Sequence, residues 1–112
     1  MDSITVEIYA LASGKEPYIE WKQRLSKDTL AVVAVRIARL RNGNFGTCKP
    51  VGNGVYELKI HYGPGYRIYY GKRRKDIVIL LCAGDKSTQR KDIKKAHEYW
   101  NDCSENKTRR KA

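Results

Sequence analysis

The chain has 112 residues, 41% of them hydrophobic, with 23 Lys plus Arg against 12 Asp plus Glu and a formal net charge of +11. That size suits one domain with one modest core, and nothing approaches the roughly 18 apolar residues of a membrane span. "MDSITVEIYA" lacks a basic segment followed by an apolar run, so a cytoplasmic protein with no membrane partner is expected, and its strong positive charge favours nucleic acid or another polyanion.

"ITVEIYA", residues 4 to 10, alternates as a first strand, and "SGKEP" ends it. Pro17 suits a first helical turn, and Tyr18, Trp21, Lys22 and Leu25 follow at helical spacing. Asp28 is the expected cap of a second helix, in which Leu30, Val33, Ile37 and Leu40 make the apolar stripe. The two form a helical hairpin. The Gly-rich stretch 42 to 54, "NGNFGTCKPVGNG", reads as loop and lacks the G-x-x-x-x-G-K-[ST] spacing of a phosphate-cradling loop. "AGDKST" fails the same test, which excludes nucleotide hydrolysis of that type.

"VYELKIHYGPGYRIYYG", residues 55 to 71, reads as two strands around a Gly-Pro-Gly turn. A basic turn leads into "IVILLCA", whose unbroken apolar character predicts a central strand covered on both faces. Ser87 or Thr88 is the expected cap of a last helix with Ile93, Ala96, His97 and Trp100 on its apolar stripe. The sequence therefore predicts an α+β domain over residues 1 to 103. Its N-terminal strand and helical hairpin pack on a small, mostly antiparallel sheet, all helices lie on one face, and a C-terminal helix follows. Residues 104 to 112 read as a basic, disordered tail. Cys48, Cys82 and Cys103 are far apart and form no C-x-x-C pair, so neither zinc nor a disulfide framework is expected.

Alternation puts Tyr56, Leu58, Ile60 and Tyr62 on one face of the hairpin and Glu57, Lys59 and His61 on the other. Arg67 falls beside that polar row if the turn spans three residues, and Lys86 lies just past the next strand. Such a cluster meets the demands of RNA cleavage by internal transesterification, in which the 2′-hydroxyl loses a proton and the scissile phosphate gains charge. Arg67 is the expected phosphate clamp, Lys59 and Lys86 add charge, and Glu57 or His61 could move protons. The same residues also suit a plain solvated sheet face with cross-strand ion pairs. Further RNA contacts are expected from Lys49, His61, Tyr69, Lys72, Arg73, Arg74 and Arg90.

The order of elements, with "KPVGNGVYELKIHYGPGYRIYYG" and "AGDKSTQRKDIKKAHEYW", resembles toxins of the RelE/ParE superfamily, and within it the HigB-like addiction-module killer proteins. The resemblance runs from Tyr18 to Trp100. It implies a RelE-like fold and a type II toxin that cleaves mRNA on the ribosome and inhibits translation, as a metal-independent endoribonuclease without cofactor. It also implies a cognate antitoxin of the helix-turn-helix, HigA-like type. Arg67 after "GPGY" matches the strand arginine placed at the scissile phosphate, with Lys59 and Lys86 at basic family positions. Glu57 stands where RelE carries Lys, and the C-terminal tyrosine of RelE has no match here. Two other readings accompany this one: a ParE-like inhibitor of DNA gyrase, and a non-catalytic basic RNA-binding module.

Overall fold

A computed structural model describes residues 3–106 and 109–111. Strand β1 (Thr5–Tyr9) is followed by α1 (Pro17–Gln23) and α2 (Lys27–Arg41), then by β2 (Cys48–Pro50), β3 (Val55–Ile60), β4 (Tyr66–Arg74) and β5 (Ile77–Gly84). A short 3-10 turn, Lys86–Thr88, leads into α3 (Gln89–Asn106), and β6 (Arg109–Lys111) ends the described chain. The sheet runs β2-β3-β4-β5-β1-β6, with β1 and β5 parallel and the other pairs antiparallel. This is the expected α+β class.

The core lies on both faces of the sheet. On one, Val6, Ile8, Leu58, Ile60, Ile68, Tyr70, Val78 and Leu80 meet Tyr18 and Trp21 of α1 and Val33, Ile37 and Leu40 of α2. On the other, Val55, Tyr69, Ile79 and Leu81 meet Ala96 and Cys103 of α3. Helices therefore cover both faces, not one, as the continuous apolar run of β5 requires. With both faces covered, strictly alternating strands such as β3 bury residues of both parities. Each fully buried aliphatic side chain contributes about 1.5–3 kcal/mol, so these two layers hold the sheet between the helices.

The caps differ from expectation by a few residues. Ser26, not Asp28, caps α2, its Oγ accepting from the Thr29 amide at 3.2 Å; Asp28 sits in the first turn, where it complements the helix dipole. Asp85, not Ser87 or Thr88, caps the turn before α3, accepting from the Ser87 amide at 2.8 Å while Thr88 closes a capping box. The Gly-rich stretch taken for loop contains β2, a three-residue exposed edge strand. At the other edge, Arg109–Lys111 pair antiparallel with β1, where a disordered tail was expected; backbone pairing satisfies N–H and C=O groups that β1 would otherwise leave open.

Candidate functional site

Cross-strand register assembles the polar row. Lys59 lies opposite Arg67, and Arg67 opposite Gly84; Lys49 lies opposite Glu57, Glu57 opposite Tyr69, and Tyr69 opposite Cys82. Residues opposite one another share a face, so Lys49, Glu57, Lys59, Arg67 and Tyr69 all belong to the face beneath α3. The turn of residues 61 to 65 fixes this register. Gly65 adopts φ +80°, a left-handed conformation that disfavours a Cβ, and its carbonyl accepts from Arg67 Nη1 at 2.7 Å.

Much of this row is buried. Glu57 is 2% exposed and Arg67 5%. One Glu57 oxygen, Oε2, accepts from the Tyr69 hydroxyl at 3.1 Å and from Gln89 Nε2 at 2.9 Å; the other, Oε1, lies 3.7 Å from Arg67 Nε. That Nε is itself buried without a hydrogen-bond acceptor, so a loose charge contact holds it. The geometry makes Glu57 a counter-ion to Arg67, with its oxygens already engaged, in place of the solvent-facing proton carrier its strand position suggested. Tyr69 has 0% exposure and cannot stack on a base from solvent. Burial, then the Glu57 carboxylate, push its phenol well above the usual range, so it remains a neutral donor to Glu57.

Gln89, at the start of α3, was not singled out by sequence. Its bond to Glu57 ties the helix start to the sheet, so the exposed Lys86 and Arg90 beside it border this face. The Lys59 side of the row is partly exposed. Asp85 is held below the usual carboxylate range, chiefly by the Ser87 hydroxyl and with a contribution from the Arg67 charge. Asp92, 9% exposed, accepts from Thr88 Oγ1 at 2.5 Å, and burial raises its carboxyl. Gly84 makes room for it: a Cβ there would stand 1.9 Å from Asp92 Oδ2.

Other expected residues lie apart. His61 is exposed past the end of β3, its Nε2 3.3 Å from Thr47 Oγ1. Arg73 and Arg74 are exposed at the far end of β4, and six strand residues place Arg73 about 20 Å from Arg67. Lys72 Nζ stands 4.6 Å over the Phe45 ring and 5.2 Å over Tyr56, an intramolecular cation–π contact. Burial pushes the Cys82 thiol up to about 12, which marks an inert core thiol. Among the described residues no His, Cys, Asp or Glu group is arranged to hold a metal, and no helix is long and apolar enough to cross a membrane.

An uncharacterized protein of Haemophilus influenzae (strain KW20 / Rd) is 54% identical to this chain over 66 residues, 59% of this chain and 67% of the relative. A family model described as "Phage derived protein Gp49-like (DUF891)" matches residues 20–101, a span that includes the whole hairpin, Gln89 and most of α3. The chain thus belongs to the Gp49-like family, a RelE-like family of the toxin–antitoxin type.

Proposed function

We propose that the protein is the toxin of a HigB-like toxin–antitoxin pair and acts as an endoribonuclease that cuts mRNA on the ribosome. The observation that carries this reading is the register that sets Lys59 beside Arg67, with Gln89 drawing Lys86 and Arg90 to the same face. Five cations, Lys49, Lys59, Arg67, Lys86 and Arg90, border that surface with Glu57 and Asp85 as the acids among them. In the reaction the 2′-oxygen attacks the adjacent phosphorus and the bond to the 5′-oxygen breaks, leaving a 2′,3′-cyclic phosphate and a 5′-hydroxyl. Lys59 and Lys86 contact the phosphate from the solvent side. Arg67, fixed by Gly65 and Glu57, supplies a preorganised positive charge in a low-dielectric setting, where it acts more strongly than in water. Glu57 is the positioning residue for that charge.

The neutralising partner in this reading is a helix-turn-helix, HigA-like antitoxin, in keeping with the family. Purified protein added to ribosomes translating a defined mRNA should release fragments with 5′-hydroxyl ends. Lys59→Ala and Lys86→Ala, both outside the buried pair, should each slow cleavage by roughly 100-fold, as for other electrostatic donors. Cleavage by both variants at the unmodified rate contradicts the assignment. Retained RNA binding without any cutting points to the RNA-binding module, and intact mRNA with inhibited gyrase points to the ParE-like activity.

A further inference from the structure

Among the described residues, two buried side-chain polar atoms have no hydrogen-bond partner: Arg67 Nε, in the site above, and Tyr70 Oη. An orphaned buried hydroxyl is costly, and packing fixes this one in place. The Tyr70 ring, 1% exposed, lies against Tyr56 at 5.5 Å and Phe45 at 6.0 Å, and Lys72 stands over both of those rings. Register puts Cys48 on the same face of the sheet. Cys48 is opposite Leu58, while Pro50, two residues along β2, is opposite Tyr56, which is opposite Tyr70. The phenol is directed at the Cys48 side chain; burial first, then that contact, raise it far above its usual range, so it stays a neutral donor. Sulfur accepts only weakly, and the donor remains unsatisfied.

Cys48 differs from the other two cysteines of the chain. It is exposed on the edge strand, whereas Cys82 and Cys103 are buried. The Arg36 guanidinium stands within electrostatic reach of its sulfur: burial and the Arg39 charge disfavour the charged arginine, and Cys48 favours it. Arg36 is pinned there, its Nη2 donating to the Phe45 carbonyl at 3.0 Å. Gly46 leaves the room, since a Cβ at that position would overlap the guanidinium. An exposed thiol near a fixed cation is the setting that favours the nucleophilic thiolate.

We propose that Cys48 is a site of oxidation by hydroperoxides, forming a sulfenic acid whose oxygen accepts the hydrogen bond that Tyr70 Oη lacks. The thiolate sulfur attacks one oxygen of hydrogen peroxide; an S–O bond forms and the O–O bond breaks. The leaving hydroxide takes up the proton released by the thiol and becomes water. Sulfur loses two electrons and the peroxide gains them. Because Cys82 and Cys103 are buried, neither is placed to resolve the product as a disulfide. This site does not depend on the nuclease reading.

The test uses the full chain, reduced and freed of reductant, treated with hydrogen peroxide and then with dimedone, which captures sulfenic acids; peptide mass spectrometry locates the adduct. Cys48 should be labelled faster than the cysteine of an unstructured peptide of residues 44 to 50, with Cys82 and Cys103 unlabelled in the folded protein. Delaying the dimedone after catalase has removed the peroxide reads the lifetime of the sulfenic acid. Tyr70→Phe keeps the ring and removes only the orphaned hydroxyl. It should leave the melting temperature of the reduced protein unchanged or higher, yet shorten that lifetime roughly fivefold, the worth of one hydrogen bond. Labelling of Cys48 no faster than of the peptide, equal labelling of the buried cysteines, or an unchanged lifetime in Tyr70→Phe overturns the proposal. A reduced Tyr70→Phe protein that melts lower also overturns it, because the hydroxyl would then already have a partner.

Discussion

At the scale of single residues, Glu57 and Arg67 decide how this face works. Removing one member of a buried pair leaves an uncompensated charge and costs about 3–5 kcal/mol. Arg67→Ala should accordingly lower the urea midpoint strongly, with Glu57 left 2% exposed and short of its counter-ion. The double replacement Glu57→Leu with Arg67→Met removes both charges and should lose less stability than either single replacement. Midpoints that add up across the double-mutant cycle would show that the two side chains do not interact. The practical consequence is that loss of toxicity in Arg67→Ala has two causes, unfolding and lost chemistry, which Lys59→Ala and Lys86→Ala do not confuse. Strand parity made it legible that Glu57, Lys59 and Arg67 share a face. Their burial was not legible, because it depends on Gln89 reaching Glu57 over 32 positions of sequence, and no local pattern records a contact of that range.

At the scale of elements, the end of β5 and the start of α3 are fitted together through one missing side chain. Gly84→Ala would place a Cβ 1.9 Å from Asp92 Oδ2 and 2.6 Å from Thr88 Oγ1. It should destabilise the protein by about 1–3 kcal/mol, as other overpacked sites do, read as a lower midpoint in urea. Asp92 also predicts a pH dependence. Its carboxyl is raised in the folded chain, by burial first, so the native state holds the proton more tightly than the unfolded state. The stability this contributes is present below the ordinary carboxylate pKa and is lost as pH rises through the raised value. Asp92→Asn keeps an acceptor for Thr88 without the charge. Its melting temperature relative to the unmodified protein should therefore improve from about pH 3 to about pH 7, and a constant difference across that range would contradict the sign. Helix periods in α1, α2 and α3 were plain in the sequence. The caps were missed by two or three residues because Ser26 and Asp28, or Asp85, Ser87 and Thr88, offer equivalent oxygens, and only the chain's direction selects one.

At the scale of the whole molecule, the sheet order and the parallel β1–β5 pair carry the site, since they place the hairpin beside the strand that delivers Lys86. The central position of β5 was readable from seven consecutive apolar or small residues, and the hairpin from Gly-Pro-Gly. The distribution of helices over both faces was implied by that same strand, yet the helices' own stripes do not say which face each will take. The net charge of +11 predicts attraction to RNA but not where it concentrates; the fold separates it into the row under α3, the turn between β4 and β5 about 20 Å away, and Arg36 and Arg39 of α2. The most direct test of the central claim is a transcriptome-wide map of new mRNA 5′ ends soon after the protein is induced without its antitoxin, with Lys59→Ala as the control. The account predicts new ends confined to translated regions, in register with codons and greatly reduced in Lys59→Ala; growth arrest with no new ends, or the same ends from Lys59→Ala, would contradict it.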